Sequence, residues 1–219
     1  MKLQKKVFAF FIAVLMATVA CSTFSNGSTE ESPSPSKEPP KQSTATRTAA
    51  AAEDASTGFV TFENEVFSIK YPADWYHEGM AGLGFFSTDP ELQSSWISEE
   101  GGSPNVEQGA ILIVLAGTGA EMGLAPGVSL LDAFNATIAL EAGECEVLED
   151  VKETTINDMP AVLAVWSCSN PAGISTTIIG AMISDGEHSA GLTGITASDS
   201  TDQYLPILKE MINSFRFTG

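Results

Sequence analysis

The chain has 219 residues, 43% of them hydrophobic, and a formal net charge of -18. That length suits one domain with extensions and is enough for a sizeable core. So acidic a chain repels phosphate backbones and anionic headgroups, which argues against nucleic-acid binding and electrostatic membrane attachment and leaves cations or basic proteins as charged partners.

The first elements form an address. Lys2, Lys5 and Lys6 make a positive n-region, Val7 to Ala17 an apolar h-region, and Thr18-Val-Ala-Cys21 a small-residue cleavage site ending in cysteine. This resembles the lipobox of bacterial lipoproteins, with Thr18 where leucine is usual. The run Val7 to Ala20 is short against the roughly 20 apolar residues of a bilayer span. Residues 1–20 therefore read as a lipoprotein signal peptide. The resemblance implies that Cys21 becomes the mature N-terminus and carries a diacylglyceryl group, whose two acyl chains give the stable anchoring that one chain alone does not. The expected location is the extracytoplasmic side of the cell membrane or outer membrane, held covalently by the lipid on Cys21. From Ser22 to Thr57 the composition turns to Ser, Thr, Pro, Ala, Glu and Lys; Phe24 is the one aromatic, and Pro33, Pro35, Pro39 and Pro40 break any periodicity. Residues 21–57 read as the lipidated cysteine and a disordered tether, long enough to span about 30 to 35 Å as a flexible coil.

A folded domain is expected over residues 58–219. Phe59 to Phe62 and Val66 to Tyr71 are strand patterns separated by Glu63-Asn64-Glu65, which predicts a hairpin. Phe67, Ile69 and Tyr71 alternate with Ser68 and Lys70, the period of a strand with one buried face; Pro72 ends it and bends the chain so that Trp75 returns to that face. Leu83 to Phe86 suggests a third strand. Ser87 to Gln108, with Pro90, Gly101, Gly102 and Pro104, reads as a long surface loop with a helical turn near Glu91 to Trp96, and Ala110 to Ala116 as a central strand covered on both faces.

Ser129 caps a predicted helix, with Asp132 three residues on and a stripe of Leu130, Leu131, Phe134, Ile138 and Ala142; Gly143 ends it. Cys145 to Ile156 and Ala161 to Ser169 read as strands joined at Asn157-Asp158, and Ile174 to Ser184 and Ser189 to Thr196 as strands joined at Asp185-Gly186, giving at least four consecutive antiparallel strands. Tyr204, Leu205, Leu208, Met211, Ile212 and Phe215 recur at helical spacing, with Pro206 expected in the first turn and Asp199 and Asp202 at the positive end of the helix.

This order, with Phe67-Ser-Ile-Lys-Tyr-Pro-Ala-Asp-Trp75, Ile156-Asn-Asp-Met-Pro-Ala161 and Ile212-Asn-Ser-Phe215, resembles the PsbP-like domain over about Gly58 to Phe217. The resemblance implies an α+β fold, an antiparallel β-sheet sandwiched by helices, used in that family as a non-catalytic assembly module, notably in photosystem II. No motif is present on which ligand or metal positions of that family can be carried over.

Gly117-Thr-Gly-Ala-Glu-Met-Gly123 follows an apolar strand as phosphate loops do, but Met122 stands where the dinucleotide pattern needs glycine, and no Gly-Lys-Ser/Thr exists, so the run reads as a flexible connection. His77 and His188 lie near neither a second histidine nor a cysteine pair and read as solvent-exposed residues; no Gly-x-Ser-x-Gly elbow is present. Glu141, Glu144, Glu146, Glu149, Asp150 and Glu153 lack the spacing of a calcium loop and read as a solvated helix end and strand face. Trp166 alternates with Leu163 and Val165 and reads as core. No catalytic set, metal site or cofactor is assigned. Cys145 and Cys168 are the thiols left once Cys21 is acylated, and a compartment that permits disulfides favours pairing them. With Asn157-Asp158 as the loop, Ile156 faces Met159, which sets Cys145 opposite Asn170 and diagonal to Cys168; a bulge at Pro160 could bring the two opposite. Trp96, a large aromatic in a charged loop, is the candidate contact residue, with a local plug onto the sheet as the alternative. The functional expectation is a lipid-anchored binding or assembly module for an unidentified envelope protein; the alternatives are a calcium-binding domain and an envelope polymer hydrolase with an unrecognised carboxylate site.

Overall fold

A computed structural model describes residues 58–92, 106–124, 127–141, 145–169 and 173–218. Residues 1–57, where a signal peptide, a lipidated Cys21 and a tether are expected, and Trp96 lie outside the described residues. The described chain is α+β, and its architecture follows from which strands have one apolar face and which have two.

Strands β1 (Phe59–Glu63) and β2 (Phe67–Pro72) form the expected hairpin, with Glu63 opposite Ser68. Asn64 fastens its turn: the side-chain Oδ1 accepts from the amides of Val66 and Phe67, both at 2.9 Å. The alternation in β2 is realised, with Phe67, Ile69 and Tyr71 buried. After Pro72 the amide of Trp75 donates to the Pro72 carbonyl at 3.0 Å, closing a turn that buries the indole edge-on to Tyr204. The hairpin does not join the main sheet; it pairs with a short terminal strand, β10 (Arg216–Phe217), in a three-stranded sheet.

The main sheet has seven antiparallel strands: β3 (Tyr76–Met80), β4 (Leu83–Ser87), β5 (Ala110–Thr118), β6 (Cys145–Ile156), β7 (Met159–Ser169), β8 (Ser175–Ser184) and β9 (His188–Ala197). Their order is β3-β4-β5-β9-β8-β7-β6. The four consecutive antiparallel strands expected from the sequence are β6 to β9. Asn157 and Asp158 turn with φ of 48° and 68°, the left-handed pair that a two-residue hairpin loop needs. Strand β3 was not expected. All five of its residues are exposed, so it carries no alternation of its own and exists because β4 offers it a ladder.

Helices cover the sheet from both sides. Helix α1 (Leu130–Glu141) begins at Ser129, whose Oγ accepts from the Asp132 amide at 3.0 Å and donates to the Asp132 carboxylate at 2.8 Å. It lays Leu130, Leu131, Phe134 and Ile138 over Val162, Ala164 and Trp166 of β7. Gly180 of β8 makes room for that indole, since a Cβ there would stand 2.7 Å from Trp166 Cη2. Helix α2 (Thr201–Ser214) follows a 3-10 turn and buries Leu208, Met211 and Ile212 on the opposite face, beside the three-stranded sheet. Pro206 is in the second turn of α2, not the first, so its missing amide removes a bond to the Asp202 carbonyl.

The larger core lies between the main sheet and the layer formed by α2 and the hairpin. Phe67 is fully buried there, stacked on Phe215 at 5.8 Å and tilted against Phe62 at 5.6 Å. Gly84 of β4 leaves space for its ring, because a Cβ there would come within 2.9 Å of Phe67 Cζ. We expect Phe67→Ala to lower stability by about 3 to 5 kcal/mol, the range for deleting a buried phenylalanine, measured by denaturant unfolding. A loss under about 1 kcal/mol would show that the site collapses without cost and that Phe67 does not join the layers.

Candidate functional site

The sheet register sorts the surface into two ends. Ser87, Ile111, Thr196 and Ala197 lie at one end, and Leu83, Thr118 and His188 at the other. The described bases of the polar insert after Ser87 and of the glycine-rich run after Gly117 therefore lie at opposite ends of the sheet.

At the first end the base of the insert is clamped. The Thr88 amide donates to the Ala110 carbonyl at 3.0 Å, the Ala110 amide returns a bond to Thr88 Oγ1 at 3.0 Å, and Thr196 Oγ1 donates to the Gly109 carbonyl at 2.9 Å. Val106 is fully buried against Ile111, Ile113 and Ile195. Beside this base lies a shallow cleft of about 340 Å³ lined by Val106, Glu107, Ile174, Ser175, Ala197, Ser198 and Asp199. Its chemistry is modest. Ser175 Oγ lies 2.6 Å from Ser169 Oγ and Ser198 Oγ 3.5 Å from Ser167 Oγ, so each hydroxyl faces another hydroxyl and no imidazole. His188 is at the far end of β9.

At the second end the glycine-rich loop is closed on itself. Glu121 Oε2 accepts from the Thr118 amide and from Thr118 Oγ1, both at 2.8 Å, while the Met122 amide donates to the Thr118 carbonyl and the Leu124 amide to the Gly119 carbonyl. The Thr118 amide holds the Glu121 carboxyl below its ordinary pKa, the hydroxyl adds to this, and nearby His188 contributes. The amides of Thr118, Met122, Gly123 and Leu124 thus all have partners within the run, which is not how a phosphate loop presents its donors.

His188 is half-buried rather than solvent-exposed. Its ring packs on Phe217 at 5.5 Å, and Nδ1 lies 3.3 Å from Asp185 Oδ2. Asp185 also accepts from the amides of His188 at 2.7 Å and Glu187 at 2.9 Å. Burial is the largest single influence on the Asp185 carboxyl and opposes ionisation, but these amides and the His188 ring together bring its pKa below the ordinary value. His77 lies on exposed β3 with Nδ1 3.0 Å from the Tyr71 hydroxyl. Glu149 is paired with Lys209 of α2, Asp202 stands in the first turn of α2, and the Glu141 side chain and Glu144 lie outside the described residues. Among the described residues, no group of three His, Cys, Asp or Glu gathers to hold a metal ion, and no helix is long and apolar enough to cross a membrane.

Cys145 and Cys168 are joined by a disulfide and lie directly opposite one another, Cα atoms 4.3 Å apart. Register is shifted, but not at Pro160, which sits in register with Thr155. The shifts fall in β6, between Val147 and Glu149 and between Glu149 and Lys152. Two extra residues in β6 take up the offset that the Asn157-Asp158 turn would otherwise leave between the cysteines. The first shift also turns Glu149 onto the α2 face, within reach of Lys209.

No family model and no curated protein matches the chain. Solved structures do. The chain is similar to cyanobacterial PsbP from Synechocystis at 11% identity, covering 82% of this chain and 99% of that one, with a TM-score of 0.49. It is similar to LpqN of Mycobacterium tuberculosis, described as involved in cell envelope biogenesis, at 15% identity over 70% and 83% of the two chains, with a TM-score of 0.45. A protein of Bacteroides thetaiotaomicron matches at 13% identity and a TM-score of 0.41 over 70% of this chain, which spans only 45% of that one. All three TM-scores lie below 0.5, and these likenesses say nothing of the family, binding or activity of this chain.

Two expectations follow. Cys168→Ser should lower stability by about 3 kcal/mol through the freed loop, read as a shifted denaturant midpoint; an unchanged midpoint would deny the bridge a stabilising role. For Asp185, a folded pKa below the ordinary value means stability that is present above about pH 4 and lost as the pH falls through the folded value. Asp185→Asn should therefore flatten the acid limb of the melting-temperature profile, whereas an acid limb identical to the wild type would locate the acid sensitivity elsewhere.

Proposed function

We propose that this protein is a lipid-anchored extracytoplasmic module that docks an envelope protein and has no turnover of its own. The single observation that supports this best is that, among the described residues, the side chains nearest the two loop ends are engaged in structure: Glu121 closes a loop, Asp185 a hairpin turn, and Ser175 and Ser198 face hydroxyls, while Glu149 ties β6 to α2. A rigid antiparallel scaffold with clamped loop bases is a frame for binding surfaces. Cys21 supplies the anchor in this reading, residues 22–57 hold the domain clear of the headgroups, and Trp96 is a contact residue of the insert.

Cross-linking in intact cells followed by capture of the full chain tests the proposal. The wild type should carry a specific envelope protein, Cys21→Ser should release the chain from the membrane, and Trp96→Ala should weaken the complex with little change in melting temperature. A purified chain that cleaves an envelope polymer at enzymatic rates would overturn the reading, and a melting temperature that rises steeply with calcium would replace it with cation binding.

A further inference from the structure

The face of the main sheet that α1 partly covers carries an apolar row that starts under that helix and runs out beyond it. The register places Met80 of β3 opposite Leu83 of β4, Leu83 opposite Leu115 of β5, Leu115 opposite Gly191 of β9, and Gly191 opposite Met182 of β8, so the row crosses five strands on one face. Met182 packs in the cluster under α1, and Leu83 in the cluster around Ile113. The outer part is open: Met80 is 67% exposed, Tyr76 on the same face of β3 is 51% exposed, and Leu115, on a strand otherwise almost wholly buried, is 42% exposed. Gly191 leaves a notch in the row, and the Met122 methyl group lies 3.8 Å from where a Cβ would stand there. Methionines 80, 122 and 182 thus border one strip, and methionine is the apolar side chain that best adapts its shape to a partner.

Charge on this face has one sign. Glu78 lies between Tyr76 and Met80 on the same face of β3, Glu121 adjoins Met122, Asp132 is in the first turn of α1, and Glu153 shares the face through its register with Val162. The described lysines and arginines are all elsewhere. Lys70 and Arg216 alternate with the inward residues of the three-stranded sheet, Arg216 pairing opposite the outward Ser68, Lys209 is on α2, and Lys152 shares the α2 side with Leu163. An apolar strip bordered by carboxylates complements an amphipathic segment with basic flanks and disfavours both a second copy of this acidic chain and an anionic surface.

We propose that the Met80–Leu83–Leu115 row, with Tyr76 and Met122 beside it, is the docking surface for an amphipathic, lysine- or arginine-flanked segment of a partner protein. This rests on the docking reading above and names its surface and the chemistry of its partner. The probe is a fluorescent amphipathic peptide of leucine and lysine, titrated against the full chain in phosphatidylcholine bilayer discs with empty discs as the blank. The wild type should bind it, and Leu115→Asp and the milder Met80→Ser should each weaken binding roughly ten-fold or more without shifting the melting temperature, while Val147→Ser on the opposite edge strand leaves it unchanged. Equal binding of the glutamate counterpart of the peptide, or binding indifferent to both row variants, would overturn the proposal. So would self-association of the chain in sedimentation, or flotation of a Cys21→Ser chain with phosphatidylcholine vesicles, if either is abolished by Leu115→Asp. The cellular cross-link separates the two levels: a partner retained by Leu115→Asp removes this surface and leaves the docking reading standing, and no partner on the wild type removes both.

Discussion

Phe67 is where the layers of this domain meet. Its ring rests on Phe215 from the chain's last turn, leans on Phe62 across the hairpin, and fills the space left by Gly84 in the main sheet. Phe62 in turn meets Phe86 edge-on at 5.4 Å, and Tyr71 lies 5.2 Å from Phe86. One aromatic knot therefore joins residues distant in sequence that belong to the three-stranded sheet, the seven-stranded sheet and the end of α2. Without it, the hairpin and terminal strand would be a marginal ribbon with nothing to pack on.

Much of this was legible in sequence because it depends on neighbours along the chain. The alternation of Phe67, Ile69 and Tyr71, the Asn157-Asp158 turn and the Ser129 cap each need only a few residues, and the structure realises each. Other features are settled by partners far away. Strand β3 has no buried residue and forms because β4 lies beside it. Pro206 looked like a first-turn residue because the preceding 3-10 turn, which sets where α2 begins, leaves no periodic trace. The cysteine pairing was readable from count and compartment, but the bulges that permit it sit in β6, where no local residue pattern marks them.

The same distinction explains why the candidate surface was hidden in the sequence. Leu115 lies in a run that reads as continuous core, and only the register with Leu83 and Gly191 shows that nothing in the described chain rests fully on it. Conversely, the glycine-rich run reads as a flexible connection in sequence, and its first half is a closed turn because Glu121 supplies its carboxylate to the Thr118 amide. Acidity in this protein thus has two physical roles: some carboxylates satisfy backbone donors, and others border an apolar strip.

The proposed function lies in that strip, as a place of contact and not of reaction. A photo-reactive residue placed at position 115 of the full chain in living cells, compared with one at position 147 on the far edge, tests it most directly. The account predicts a protein adduct from position 115, mapping to an amphipathic segment with basic flanks, and none from position 147. Adducts to lipid alone from position 115, or the same protein adduct from both positions, would contradict it.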